Sequence, residues 1–564
     1  MTAWRNIKCG VSNRPSGKWT SVYSSIIDFV MTSMAHLVHK SGSEKPGCES
    51  PSVTLEEASG KGHSMMFSKS PQFDDSRVAA SESGPIGFVP SSPEEAELSR
   101  RVNRKMDFAM LPLLSLVYLF NGLDKGNIGN AETQGFTKAI GAEPEDLNLA
   151  VSLFFITFVL FQPPSAAMGR WVGPQNWIPF LAFSWGALTI GQAFIKGRGS
   201  LIAIRLVIGL FEAGFYPTCV SYLSFFYGRF DLAVRVAIFY GQYAIAGAFS
   251  GAISFGVFHL KSGKLLNWQY LFVIEGSLTC SVAILAWFLL PRGPGSAWFL
   301  KQEEREFAAE RMRRDTALFV QHEYGKDGME KDRLSRRDAI EAVKDWKFYG
   351  VIFFNICASV PTQAFSIFLP LVLQGLGFES IHANLMTVPP YVCGAVGLYI
   401  FALSSDHRHE RGWHIVASIA IGIIGLILTV TVNASGGKYA GLCILLFGCY
   451  VSAPLTVAWL SGNTPEPGKR TLILGANGFG NLAGIIGAQI FYAKFGPSYT
   501  TSFYITLGIA IVALLGYTAY RFALAAANRY KKDKMAQMTS EELERERTDH
   551  IRYGDRKYTF IYGL

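Results

Sequence analysis

Apolar runs of about twenty residues recur through most of the chain, and nothing else in the sequence limits its fold as severely. A helix needs about 20 such residues to cross the ~30 Å hydrocarbon core, and every backbone polar group must then be satisfied inside the segment. The runs lie near 107–130, 146–168, 176–196, 200–227, 234–259 and 268–290, then near 348–373, 381–404, 412–432, 438–460, 471–493 and 501–523. This spacing predicts an all-α membrane protein with twelve transmembrane helices in two six-helix halves, a plan typical of transporters built from repeats. The rest of the organisation follows as a polar, disordered N-terminal arm over 1–100, halves at 101–290 and 348–524, a central loop at 291–347 and a tail at 525–564. The patch from Trp19 to Val38 is too interrupted to span and reads as interfacial at most, while Met65 offers an alternative start to the chain.

Charge supports this layout. Only 17% of the 564 residues are charged, against about 25% in ordinary soluble proteins. The net charge of +9 comes from basic residues that flank apolar runs without forming one stripe, which argues against nucleic-acid binding. Arg100, Arg101, Arg104 and Lys105 precede the first run. Arg311, Arg313, Arg314, Arg336 and Arg337 lie in the central loop, and Lys531, Lys532 and Lys534 follow the last run. An even number of spans puts these three clusters on one side, and the positive-inside bias makes that side, with both termini, cytoplasmic.

Cys9, Cys48, Cys219, Cys280, Cys357, Cys393, Cys443 and Cys449 include no Cys-x-x-Cys pair and imply neither a disulfide framework nor a metal site. No nucleophile set or phosphate-cradling loop lies in the helices, so the expectation is a non-enzyme that needs no cofactor.

The chemistry is expected where ionisable groups interrupt the apolar runs, because such a charge normally faces a partner or a cavity. Asp124 and Lys125 interrupt the first run, Arg205 and Glu212 the fourth, and Glu275 the sixth. Arg205 and Glu212 are two helical turns apart and share a face. Asp124 and Lys125 are adjacent, diverge by about 100° and need different partners. A guanidinium suits a carboxylate, and a desolvated carboxyl can exchange protons near neutral pH. Glu212, with Glu275, is therefore a candidate for proton coupling and Arg205 for anion binding, against the alternative of a static packing network. Of Asp124 and Lys125, one is expected to face the cavity and the other to pair with Arg205 or Glu212. In the second half the candidates are polar only: Asn355, Gln363, Asn477 and Asn481. The Gly247/Gly251 and Gly480/Gly484 pairs suit close helix approach, and Pro217, Pro389, Pro390 and Pro454 suit kinks.

These residues also carry a resemblance. Leu123 to Ala131, with Asp124, Lys125, Gly126, Asn127, Gly129 and Asn130, looks like the first-helix signature of the fungal allantoate permease-like, anion:cation symporter branch of the major facilitator superfamily. Arg205 to Pro217, with Gly209, Glu212 and Gly214, resembles its fourth-helix signature. Phe272 to Gly276, Glu303 to Glu306 with Glu310 and Arg311, Thr387 to Tyr391, and Gly480, Asn481 and Gly484 are further similarities. The resemblance implies rocking alternating access and a plasma-membrane, monomeric carrier of a carboxylate vitamin, ureide or similar small organic anion with protons. It also implies protonation at Asp124 and Glu212, anion binding at Lys125 and Arg205, and a gating loop at Asp406, Arg408 and Arg411. The sequence departs from the family pattern with Lys125 in place of Arg, with Glu132 where a base is usual near the outer mouth, and with no Asp between Met168 and Pro174. An exporter of the same fold and a non-transporting nutrient sensor are the alternatives.

Overall fold

A computed structural model describes residue 90 and residues 92–260, 263–317, 336–408, 410–465, 467–548 and 554–564. The expectations for Trp19 to Val38 and for the arm before residue 90 lie outside these residues. Its last part is helical: α1 (Pro93–Ala109) starts on Ser92, whose side chain accepts from the Glu95 amide, with Pro93 at the first turn.

Six spans form the first half. They are α2 (Leu111–Glu132); α4 (Pro144–Val172), reached through the short α3 (Phe136–Ile140); α5 (Pro174–Gln192); α6 and α7 (Gly197–Glu212, Phe215–Ser224); α8 (Arg229–Phe258); and α9 (Asn267–Leu289). After α10 (Gln302–Ala317) and α11 (Arg336–Val343) come six more. These are α12 (Trp346–Gly375); α13 and α14 (Ser380–Leu385, Val388–Arg408); α15 (Gly412–Thr431); α16 and α17 (Ser435–Cys449, Ser452–Gly462); α18 and α19 (Pro467–Ala476, Ala483–Ile490), joined by a 3-10 turn at Asn477–Leu482; and α20 (Thr500–Ala536). Among the described residues, ten spans are long and apolar enough to cross a membrane on their own. The 19-residue α5 and the interrupted α18–α19 complete the twelve. Helix α21 (Ser540–Thr548) follows. Among the described residues there are no strands.

Both halves are wired alike. In the first, α2 packs on α8 and α9, α4 on α6, and α5 on α9; in the second, α12 packs on α19 and α20, α14 on α16, and α15 on α20. The halves meet through α8 with α14, α4 with α19, and α2 with α12. Small residues allow the approach. A Cβ on Gly251 would stand 2.1 Å from Thr387 Oγ1, and one on Gly484 2.4 Å from the Phe155 ring. The prolines singled out above sit shortly after breaks, Pro217 in α7, Pro389 and Pro390 in α14, and Pro454 in α17, so these spans are jointed where a single curved helix was expected.

At the end bearing α1 and α10, each half closes its own ion network. Asp107 and Arg235 pair at 2.8 Å, Lys105 and Glu304 at 2.7 Å, and Arg311 donates to Asn103 Oδ1 at 2.8 Å and to the Phe226 carbonyl at 2.9 Å. In the second half Asp555 receives Lys347 at 2.7 Å and Lys469 at 2.8 Å, and Lys469 also reaches Asp345 at 2.8 Å. Residues 554–564 therefore fold back: Asn528 exchanges 2.8 Å hydrogen bonds with Tyr562, Trp459 donates to the Gly563 carbonyl at 2.8 Å, and the Arg411 amide to the Leu564 carbonyl at 2.7 Å. The stretch expected as a tail from 525 thus begins as the continuation of α20 and ends as packed structure.

Candidate functional site

Helix α2 carries polar groups on two faces. Asn121 and Lys125, four residues apart, turn toward α6. Asn121 Nδ2 donates to Glu212 Oε2 at 3.0 Å, and Lys125 Nζ stands 3.8 Å from the same oxygen. Lys125 also lies over the Phe158 ring, 4.5 Å from its centroid, and 5.6 Å from that of Tyr243. Lys125 and Glu212 are 7% and 1% exposed, so the pair is desolvated. The 3.8 Å separation makes it an ion pair without a close hydrogen bond.

Asp124 and Asn127 occupy the other face. Asn127 Nδ2 donates to Glu275 Oε2, while Glu275 Oε1 and both Asp124 oxygens are sealed without a hydrogen-bond partner. Asp124 lies within Coulombic reach of Glu212, Glu275 and Arg205, and Arg205 within that of Glu212. Arg205 is buried on the same face of α6 as Glu212, and its Nε has no hydrogen-bond partner. An orphaned buried polar atom costs about 1–3 kcal/mol, so this layer is held at a cost in stability.

The five ionisable positions expected to work together thus converge, and of the pairings left open for Asp124 and Lys125, Lys125 takes Glu212. The partner of Glu212 is Lys125, and no ion pair within 4 Å joins Glu212 to Arg205 among the described residues. Glu132 accepts from both the amide and the hydroxyl of Thr137, at 3.0 and 2.7 Å, so its charge caps α3. In the second half Asn355 donates to Asn477 at 3.1 Å and Gln363 to Asn481 at 3.1 Å. Gln363 also accepts from Tyr243 of the first half at 3.4 Å. Asp406 pairs with Arg411 beside Ser405, and Arg408 is exposed. Asn121, Asn127, Asn130 and Tyr243 were not anticipated. Spacing from Asp124 and Lys125 on one helix was the available signal.

A small cavity lies between the halves, lined by Gly122, Gly126, Tyr243 and Ser250 from one and by Tyr391 and Tyr450 from the other, and the Tyr243 ring stands between it and Lys125. Hydrogen bonds joining the halves cluster beyond it, at the end of the 133–143 and 491–499 loops. Asn148 donates to the Ala488 and Phe491 carbonyls at 2.7 and 2.9 Å, Gln489 to Ser152 at 2.8 Å, Gln134 to Ser380 at 2.6 Å, and Asn384 to Thr133 at 2.9 Å. Gly129 lies so close to α12 that a Cβ would fall 1.8 Å from the Ile367 carbonyl oxygen. That end of the cavity is closed.

Residues 114–488 match the profile of the Major Facilitator Superfamily. The high-affinity nicotinic acid transporter of Saccharomyces cerevisiae is 31% identical over 516 residues, 89% of this chain and 94% of its own. The major facilitator-type transporter hxnP of Emericella nidulans is 31% identical over 471 residues, 80% of this chain and 92% of its own. Among solved structures, a D-xylose–proton symporter superposes with a TM-score of 0.55 at 16% identity, covering 73% of this chain and 97% of that one. A likeness at that identity carries the fold alone.

Proposed function

Because the chain belongs to the Major Facilitator Superfamily, we propose that this transporter takes up a small organic anion together with protons by alternating access. The observation that carries the reading is the desolvated Lys125–Glu212 pair, whose amine lies 5.6 Å from the ring centroid of Tyr243, a residue that lines the cavity between the halves. A buried cation with one distant carboxylate partner can exchange that partner for another. When Glu212 takes a proton, Lys125 loses its counter-charge and a substrate carboxylate replaces it. When the substrate leaves, Glu212 releases the proton and pairs with Lys125 again. The number of uncompensated charges in the low-dielectric layer stays the same throughout, which is how proton and anion become obligatory companions. Arg205, within Coulombic reach of Glu212 and Asp124, is the second cation available to the anion. Asp124 and Glu275 lie on the opposite face of α2 and supply further protonation sites, while Asn355, Gln363, Asn477 and Asn481 contribute polar contacts from the other half.

The closed end faces the exterior in this reading, and the ion networks at Asp107–Arg235 and Asp555 face the cytoplasm with both termini. Asp406, Arg408 and Arg411 then lie at the cytoplasmic rim, where they govern closure. The protein works as a monomer in the plasma membrane. Its kinship with a nicotinic acid transporter supports a carboxylate as the solute.

Reconstitution in liposomes under an imposed pH gradient, with a panel of labelled small carboxylates, tests the reading. Glu212→Gln is expected to abolish gradient-driven accumulation while keeping substrate exchange, and Lys125→Met to abolish both. Accumulation left intact in both variants would dispose of the mechanism.

A further inference from the structure

Residues 554–564 are held by groups that read side chains and backbone alike. Asp345, Lys347, Lys469 and Asp555 form a buried ring of alternating charge in which each lysine touches both carboxylates, Lys347 at 3.4 and 2.7 Å and Lys469 at 2.8 Å to each. Beside the ring, Lys531 of α20 donates to the Asp555 and Phe560 carbonyls at 2.8 Å each. Its amine lies 4.0 Å from the centroid of the Tyr562 ring and that of Lys347 4.5 Å from the same centroid, so this aromatic face is held by two cations. The Tyr562 hydroxyl donates back to the Asp555 carbonyl at 2.7 Å, and Asn463 exchanges hydrogen bonds of 2.8 and 3.0 Å with Gly563. Arg556 pairs with Glu341 of α11.

These partners come from α11, α12, α17, α18 and α20, and one more contact reaches the loop between α14 and α15. The Arg411 amide donates to the Leu564 carbonyl at 2.7 Å, while its guanidinium pairs with Asp406 and donates to the Ser405 hydroxyl at 3.2 Å. The neighbouring Glu410 pairs with Arg521 of α20 at 3.0 Å. The loop is thus tied to α20 through Glu410 and to residues 554–564 through Arg411. Gly554–Arg556 is a single 3-10 turn, so the segment holds on by side-chain and carbonyl contacts, and its departure interrupts no helix. A groove that offers lysine amines and side-chain amides suits an acidic residue followed by aromatic ones, as Asp555 precedes Phe560 and Tyr562.

We propose that this groove is a recognition site for an acidic–aromatic peptide segment, that residues 554–564 fill it as a detachable strap, and that their docking orders the loop at 405–411. Docked, the strap makes the ends of α12, α17, α18 and α20 and this loop one body; released, it frees the loop. That the freed loop alters closure rests on the carrier reading of Asp406, Arg408 and Arg411, whereas the docking does not.

The test uses the full-length protein with a protease site placed between Thr548 and Gly554, cut only after purification so that the strap is present while the chain folds. The released segment is washed out, a fluorescent peptide of residues 554–564 is titrated back by anisotropy, and amide hydrogen exchange is followed over 405–411. The peptide is expected to bind the cut protein and not the uncut one, whose own segment occupies the groove at high effective concentration. An Asp555→Asn peptide should bind at least roughly 30-fold more weakly, because one partner of a buried charge ring is lost, and a Tyr562→Leu peptide roughly 3- to 10-fold more weakly. Exchange over 405–411 should quicken when the groove is emptied and slow again with the native peptide. A cut segment that neither washes out nor exchanges with excess peptide, equal binding of the native and Asp555→Asn peptides, or loop exchange unchanged on release would each overturn the proposal. Faster loop exchange with solute uptake unchanged would uphold the strap and count against 406–411 as the gate.

Discussion

Removing the amine of Lys125 tests whether its pairing with Glu212 is as consequential as the geometry suggests. At 3.8 Å, two unit charges attract by about 4 kcal/mol at an effective dielectric of ~20. Taking away one partner of a buried pair typically costs about 3–5 kcal/mol, because the other charge is left desolvated and alone. Lys125→Met keeps most of the aliphatic stem against Phe158 and leaves Glu212 with Asn121 as its hydrogen-bond donor. Glu212→Gln removes the other charge. In the double variant neither charge remains, so its loss of stability should be smaller than the sum of the single losses by roughly 2–4 kcal/mol. The assay is a double-mutant cycle on the purified protein in one detergent, read from equilibrium denaturation at fixed pH and salt. Additive losses, within about 0.5 kcal/mol, would mean that the two groups do not feel each other and would refute the pairing from which the coupling scheme is built.

Gly129→Val would drive a side chain into the Ile367 carbonyl and is expected to force the closed end apart. A thiol placed at Asn148 in this background should become reactive to a water-soluble maleimide, and unchanged protection would contradict the described seal. Asp555→Asn removes the shared acceptor of Lys347 and Lys469 and should destabilise the second half by roughly 3–5 kcal/mol, seen as lower thermal stability; an unchanged melting temperature would show the C-terminal fold-back to be incidental. Burial pushes the Asp555 carboxyl up, but Lys347 and Lys469 outweigh it and hold the group below the ordinary carboxylate range. A depressed acid contributes stability that is fully present above its unfolded value, near 4, and lost as pH falls through the folded value. The Asp555 contribution should therefore be flat across neutral pH and disappear only in acid below about pH 4, and a loss beginning near neutrality would contradict it.

The fold was legible in the sequence because lipid imposes one rule on every span. Twelve apolar runs gave twelve spans, with ends displaced by a few residues. The break in the eleventh was harder to read: its glycines at 475, 478 and 480 permit a 3-10 turn without requiring one. Charges in apolar runs led to the polar layer, since their cost in lipid demands a partner. Which partner each takes depends on rotation about α2, which brings Lys125 and not Asp124 to Glu212. Asn121, Asn127 and Asn130 were missed because amides are common in such helices and carry no charge penalty to betray them. The C-terminal fold-back was missed for the opposite reason. Residues 554–557 are polar enough to read as solvated although Tyr558, Phe560, Ile561, Tyr562 and Leu564 follow, and Asp555 is a buried acceptor where Lys347 and Lys469 arrive from α12 and α18.

One measurement bears most directly on the carrier account. Proteoliposomes with an acidic exterior and no solute gradient are given the small carboxylate that the liposome panel shows to be transported, labelled, and internal label is followed with and without a protonophore. The account predicts accumulation above the external concentration, its collapse when the protonophore is added, and its absence in Glu212→Gln. Accumulation that persists in Glu212→Gln and ignores the protonophore would mean that this carboxyl does not link the proton to the anion.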